Sequence, residues 1–333
     1  MSRRWGLVLG GGGVLGGAWM VGALCALEEV HGLDPREADM IVGTSAGSLV
    51  AALLGAGVST AELRGHQLGE VASSGPLAAL DWDYETATGG ERPSRPRLAP
   101  GSAGLVAHNA RRLRHLPPTA VLAALLPEGR GSLETVGRLV RDLLVATGGE
   151  AEGWSAHPGL RVVAMDYDNG RRVAFGAPGA PRAALGDAVM ASCAIPGWYS
   201  PMVIDGVRYV DGGACSSTNV DLLAGKRLDE VFVLAPMVSF ATDSPTDLHG
   251  RMERAWRSRV TRRCLREVRK VTASGTDVTV LGPGPEDLEA MGSNLMALSR
   301  RRFVLETSLT TSAAALAQPA ELPLVAAQER RAG

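Results

Sequence analysis

Short apolar runs alternate with longer apolar or amphipathic stretches along most of the chain. Trp5 to Leu9 is apolar and bounded by glycines, which fits a buried strand. Leu15 to Val30 predicts a helix, closed by Glu28, Glu29 and Gly32. Met40 to Val42 predicts a second strand and Ala46 to Leu54 a second helix. A strand–turn–helix unit that occurs twice points to an α/β fold with a largely parallel sheet.

From about Ser73 to Arg130 the periodicity weakens, and Thr88 to Gly104, rich in Gly, Pro, Ser and Arg, reads as a loop. Irregular insertions of this length often serve as lids or mobile segments. Leu133 to Val145 returns to helical spacing. Leu160 to Met165 and Arg172 to Phe175 predict strands, and Ala183 to Ser192 a helix. Met202 to Ile204 and Val207 to Val210 flank Asp205-Gly206, a hairpin signal. Val231 to Ala235 predicts a buried strand, Leu248 to Val271 a long helix, Val278 to Leu281 a strand and Ser299 to Leu316 a last helix. With no repeat and no clean linker, the expected organisation is one domain over 1–318. It carries an insertion at about 73–130, and 319–333 forms a tail.

Composition adds three constraints. Glycine is the outlier, at 42 of 333 residues, against an average usage of about 7%. There is no Gly-X-Y period, so collagen-like and low-complexity classes fall away. A net charge of -1 and 4% aromatic residues argue against nucleic acid as the partner. Cys25, Cys193, Cys215 and Cys264 form no CxxC pair and no zinc spacing, which fits reduced thiols in a cytoplasmic protein. Lys226 and Lys270 are the only lysines among 34 basic residues, a bias typical of a GC-rich bacterial genome. Arg3 and Arg4 precede an uncharged stretch from Leu7 to Leu27, which mimics a signal peptide or membrane helix. Four consecutive glycines, Gly10 to Gly13, and the lack of a small-x-small cleavage site favour a strand, a glycine turn and a buried helix instead.

Gly43-Thr44-Ser45-Ala46-Gly47 is a G-x-S-x-G sequence between an apolar strand and an Ala/Leu-rich helix. A nucleophile elbow places serine on such a turn and needs small neighbours; here Gly43, Thr44, Ala46 and Gly47 are all small. A tight turn with a capping serine would use the same letters. Gly11-Gly12-Gly13-Val14-Leu15-Gly16, within the run from Gly10 to Gly16, also fits G-x-G-x-x-G. As a dinucleotide fingerprint it wants an acid at the end of the second strand, whereas Asp39 lies at that strand's start. The favoured use is an oxyanion hole, in which glycines present unhindered N–H groups to a tetrahedral oxyanion.

A serine nucleophile needs a base. None of His31, His66, His108, His115, His157 and His249 sits at the end of a convincing strand, and all six read as surface residues. Asp211, in Val210-Asp211-Gly212-Gly213, follows a strand at its C-terminal end, where α/β sites collect. Gly212 and Gly213 allow another backbone to approach it closely; an ordinary Asp-Gly turn is the competing reading.

These three motifs together resemble the patatin-like phospholipase family over Gly6 to Gly213. The stretch Ala191-Ser192-Cys193-Ala194-Ile195-Pro196 also resembles that family's short block before the aspartate. The resemblance implies a three-layer α/β/α sandwich and a Ser–Asp dyad. By position, Ser45 is then the nucleophile, Asp211 the general base, and Gly11, Gly12 and Gly13 the oxyanion loop. It implies a hydrolase that cleaves lipid carboxylic esters, of phospholipase A, lysophospholipase or neutral-lipid esterase type, with no metal and no cofactor. Leu15 departs from the family, which often has Arg or Lys there, so the loop lacks that charge. The rival readings are a catalytically silent lipid-binding protein on the same fold and a nucleotide-binding protein.

Two further expectations concern lipid. Trp198 and Tyr199 fit an acyl pocket or plain core packing equally well. Arg251 to Lys270 carries nine basic and two acidic residues, with Met252, Trp256, Val260, Cys264 and Val268 recurring every four. Such a helix suits peripheral contact with an anionic membrane, or a core stripe with a solvated basic face.

Overall fold

The computed structural model describes residues 3–80, 101–102, 104–105, 117–240 and 248–317. The expected loop at 88–104 and the tail at 319–333 lie almost wholly outside these residues.

The chain begins with β1 (Trp5–Leu9), α1 (Gly13–His31), β2 (Met40–Thr44) and α2 (Ala46–Gly55). Then follow α3 (Thr60–Leu68), α4 (Pro118–Leu125), α5 (Glu134–Ala146), β3 (Leu160–Asp166) and β4 (Arg172–Phe175). After α6 (Leu185–Cys193) come the hairpin β5 (Met202–Ile204) and β6 (Val207–Asp211), then β7 (Glu230–Leu234). The last elements are α7 (Leu248–Thr272), β8 (Asp277–Leu281), α8 (Pro285–Met291) and α9 (Arg301–Ala317). Asp205 and Gly206 both have positive φ, 48° and 77°, as the two-residue hairpin turn requires. The helix α3 was not anticipated; its signal was the capping box of Ser59 and Glu62.

All eight strands form one sheet. β3, β2, β1, β7 and β8 are successive parallel neighbours. β4 and β6 pair antiparallel with β3, and β5 with β6. The pairings on β3 set up everything that follows. β2 pairs with Leu160 to Val163, β6 with Ala164 to Asp166, and β4 with Val162 to Met165. Because β4 overlaps both other registers, it takes the opposite edge. β2 and β6 therefore share one edge of β3, end to end and running toward each other.

Helices cover both faces, as a buried parallel sheet demands. Leu7, Leu9, Ile41, Val162 and Phe232 face a core built with α1, α2, α5, α6 and α9. Val8, Val42, Val163, Val231 and Val233 face a second core with Cys264, Val268 and Val271 of α7. This is the expected α/β/α sandwich. A third small cluster joins Ala120, Ala123 and Ala124 of α4 to Met165, Tyr167 and Val210.

Among the described residues α1 is the one helix long and apolar enough to cross a membrane, and most of it is buried inside the protein. It is apolar all round because the sheet covers one side and α9 the other. Their crossing is tight: a Cβ on Gly22 would lie 2.7 Å from Ser308 Cβ and 3.0 Å from Leu309 N. Gly22→Ala should therefore destabilise the fold by about 1–3 kcal/mol in urea unfolding, despite the better helix propensity of alanine. An unchanged or raised midpoint would show that the crossing can relax.

Candidate active site

The serine motif forms a sharp turn between β2 and α2. Ser45 has φ 54° and ψ −128°, a strained conformation for a residue with a side chain. The turn closes because its neighbours are glycines. A Cβ on Gly47 would fall 2.2 Å from Leu9 O, and one on Gly43 2.6 Å from Gly47 O. Thr44 is the last residue of β2 and is fully buried.

Asp211 is the last residue of β6. Thr44 is in register with Val163 and Asp211 with Ala164, successive residues of β3. The head-to-head strands thus deliver Ser45 and Asp211 to one point. The Ser45 side chain faces the Asp211 carboxylate and favours its charged form, and Gly213 N–H donates to its Oδ1 at 2.7 Å. Burial pushes the Asp211 carboxyl up to about 6, against these two polar neighbours, which favour the anion. Gly212 allows the close approach expected of it: a Cβ there would fall 2.3 Å from Val163 O.

Between the two strand ends sits Ser192, which is fully buried. Its Oγ accepts from Ser45 N–H at 2.9 Å and donates to Val163 O at 2.6 Å. Nothing in the sequence around this residue assigns it a role; only the register explains it. The segment after Asp211 stitches the motifs together. Asn219 Nδ2 donates to Thr44 Oγ1 at 3.0 Å, and Ser217 O accepts from Gly11 N–H at 2.8 Å. That segment is held from behind by α7, where buried Glu267 accepts from Ser216 Oγ and Thr218 Oγ1, each at 3.0 Å.

The glycine loop runs alongside the elbow, with the position of a Gly11 Cβ only 3.2 Å from Ser45 Cβ. Three open donors at Gly11, Gly12 and Gly13 were expected, and the structure narrows them. Gly11 N–H is bound to Ser217 O, so Gly11 anchors the loop. Gly12 and Gly13 begin α1, and their N–H groups have no partner among the described residues. Gly13 has φ 63°, a region that favours glycine. Leu15, at the position of the missing charge, is buried and donates its N–H to Leu295 O at 2.9 Å.

Ser45 opens onto a narrow apolar pocket of about 80 Å3. It runs along α2 from Ser45 past Leu49 and Val50 to Leu53, closed on its sides by Val21 and Leu63. From Ser45 to Leu53 is about 12 Å of helix at 1.5 Å per residue. Tyr199 lines the pocket, whereas Trp198 packs against the core. Cys193 also lines it; burial pushes its thiol up to about 12, so it stays protonated and is no rival nucleophile.

Two histidines depart from the expected surface positions. His66 lines the pocket, and His157 is half-buried, with Nε2 2.8 Å from Ala38 O. Both arise because α3 and the turn before β3 pack inward. His31 is exposed. The side chains of His108, His115 and His249 lie outside the described residues. No cluster of three or more His, Cys, Asp or Glu among the described residues is arranged to hold a metal.

A parallel-sheet α/β protein with a serine on a strained strand-to-helix turn, facing a buried carboxylate, belongs to the class that carries a nucleophile elbow. The model of the patatin-like phospholipases matches residues 7–224, and the chain belongs to that family of lipid acyl hydrolases. Among solved structures it is similar to VipD from Legionella pneumophila, at 13% identity and a TM-score of 0.42, covering 94% of this chain and 66% of VipD. It is also similar to the type III effector ExoU, at 18% identity and a TM-score of 0.37, covering 95% of this chain and 53% of ExoU. The chain thus spans about two thirds of the one and half of the other. No curated protein matches it.

The raised carboxyl has a consequence for stability. Between about pH 4 and 6 the folded chain keeps the Asp211 proton that an unfolded chain has lost. Stability therefore falls as pH rises through that window, and the cost of the buried anion is complete above about 6. Asp211→Asn should raise the unfolding midpoint at pH 7.5, with the gain fading below pH 4. A gain independent of pH would locate the cause elsewhere.

Proposed function

We propose that the chain is a serine acyl hydrolase acting on lipid carboxylic esters through a Ser45–Asp211 dyad. The observation that carries this reading is the Ser45 side chain set against a buried carboxylate at the mouth of an apolar pocket. Ser45 Oγ attacks the acyl carbonyl while Asp211 takes its proton. The N–H groups of Gly12 and Gly13, at the positive end of α1, stabilise the oxyanion. Asp211 returns the proton to the leaving alcohol. A water molecule, deprotonated by Asp211, then cleaves the acyl-enzyme and releases the fatty acid. A carboxylate titrating near 6 is ionised at neutral pH, yet more basic than an exposed one. Ser192 supports the geometry by fixing the Ser45 backbone. The pocket along α2 takes the acyl chain. Phospholipase A, lysophospholipase and neutral-lipid esterase activities all fit this arrangement.

The reading predicts labelling by a fluorophosphonate probe that disappears in Ser45→Ala. Hydrolysis should show an acid limb near pH 6 that vanishes with the residual activity of Asp211→Asn. Screening esters of graded acyl length on phospholipid, lysophospholipid and triglyceride, with Ser45→Ala as control, identifies the substrate. Labelling that survives Ser45→Ala, or activity lost on replacing His66 alone with no change in fold, would sink the dyad.

Peripheral contact with an anionic membrane is the second part of the proposal, in altered form. The apolar stripe of α7 is largely core: Cys264 and Val268 are buried, and Val260 packs beside them. Trp256 stays exposed, and the side chain of Met252 lies outside the described residues. What α7 offers to lipid is an outer row of exposed Arg251, Arg259, Arg262, Arg266 and Arg269. Such contact is electrostatic and weakens with salt. Reversing Arg259, Arg262 and Arg266 to Glu should reduce co-sedimentation with anionic vesicles by on the order of 10- to 100-fold. Binding equal on neutral and anionic vesicles would contradict it.

A further inference from the structure

α7 contains a buried arginine that the chemistry above does not use. Arg257 is 1% exposed, on a helix whose other arginines mostly face solvent. Burying a guanidinium is costly unless its donors are well placed. Arg257 Nε donates to Glu253 Oε1 at 2.9 Å, one turn earlier on α7. Its Nη1 donates to the carbonyl oxygen of Pro236 at 2.9 Å.

Pro236 follows β7, the strand beside β1, and its ring lies under the glycine loop. A Cβ on Gly12 would fall 2.6 Å from Pro236 Cγ, and one on Gly16 3.1 Å from the same atom. The ring therefore touches the first turn of α1 at Gly12. On the far side, Leu295 O holds Leu15 N–H, and the position of a Gly13 Cβ is 3.1 Å from Met296 Sδ. Four successive glycines have little conformational preference of their own. Their N–H groups point in a fixed direction only if something outside the loop holds them. The loop carries no charged side chain, since Leu15 is apolar and buried.

We infer that Arg257 is a positioning residue for the oxyanion loop. Its guanidinium fixes the Pro236 carbonyl, and the Pro236 ring in turn sets the backbone of Gly12. This rests on the reading of Gly12 N–H as an oxyanion donor. It also assigns a role to α7, which lies beyond the 7–224 segment that matches the family.

The test compares wild type with Arg257→Met, Arg257→Lys, Pro236→Ala and the double variant Arg257→Met/Pro236→Ala on one soluble ester. Thermal unfolding is recorded for each. Arg257→Met should lose about 10- to 100-fold in kcat, since small misplacements of catalytic groups cost that much. KM should stay within twofold, because neither Arg257 nor Pro236 lines the acyl pocket. The acid limb near pH 6 should not move, because Arg257 acts through Gly12 and not through Asp211. Arg257→Lys should recover part of the loss, and the double variant should be no worse than Arg257→Met, as expected of two links in one chain. If Arg257→Met does not fold, Arg257→Lys and Pro236→Ala carry the same comparison: each should lower kcat at constant KM, and their combination should be non-additive. A folded Arg257→Met with kcat within threefold of wild type overturns the inference, as does a loss shared equally by kcat, KM and the acid limb. Fluorophosphonate labelling separates the two levels. Labelling of wild type but not Ser45→Ala, with unaffected Arg257 variants, leaves the dyad standing and removes the brace. A wild type that never labels removes both.

Discussion

The site exists because two strands end against each other on one edge of β3. β2 arrives at Val163 from one direction and β6 at Ala164 from the other, with β4 closing the opposite edge. Strand pairing leaves little freedom in register once both faces are buried. A one-residue slip of β6 would turn Asp211 to the other face and send Val210 into the site. The same abutment leaves a gap in the edge pairing of β3 between Val163 and Ala164. Ser192 fills that gap and uses its own lone pair to hold Ser45 N–H. The break in the sheet and the placement of the serine are thus one feature.

Asp211 has the Ser45 side chain and the Gly213 N–H beside it, and its carboxyl is still raised by burial. It is therefore a carboxylate stabilised only enough to ionise near neutrality. The loop beyond it links the three motifs, through Ser217 to the glycine loop and Asn219 to the elbow. Two buried charged side chains of α7 reach this end of the sheet. Glu267 holds the loop after Asp211, and Arg257 holds the turn after β7. Buried charges held in this way contribute little net stability on their own. Their effect here is to fix loops that short side chains and glycines leave underdetermined.

Much of this was legible along the chain. The serine motif stood out because its small residues are sterically forced: the elbow presses on the end of β1, and only glycine fits at 47. Asp211 stood out because a strand, an acid and two glycines occur in sequence. The Asp205-Gly206 hairpin carried its own turn chemistry. Other features had no local signature. Ser192 looks like any helical serine until its Oγ is seen between Val163 O and Ser45 N–H. Gly11, Gly12 and Gly13 are identical letters, and only the position of Ser217 separates the anchor from the open donors. Arg257 is one of many arginines on α7, and its burial depends on where β7 ends.

The chain by itself determined the α/β class with its largely parallel sheet, the order of its main elements and the residue types able to perform acyl transfer. These follow from apolar periodicity and from glycines that no other residue can replace, both of which are local properties. The tertiary structure decided which of those residues meet, which N–H groups remain open, and that the apolar stripe of α7 belongs to the core. Those outcomes depend on strand register and helix packing between segments far apart in sequence, and no local pattern encodes them.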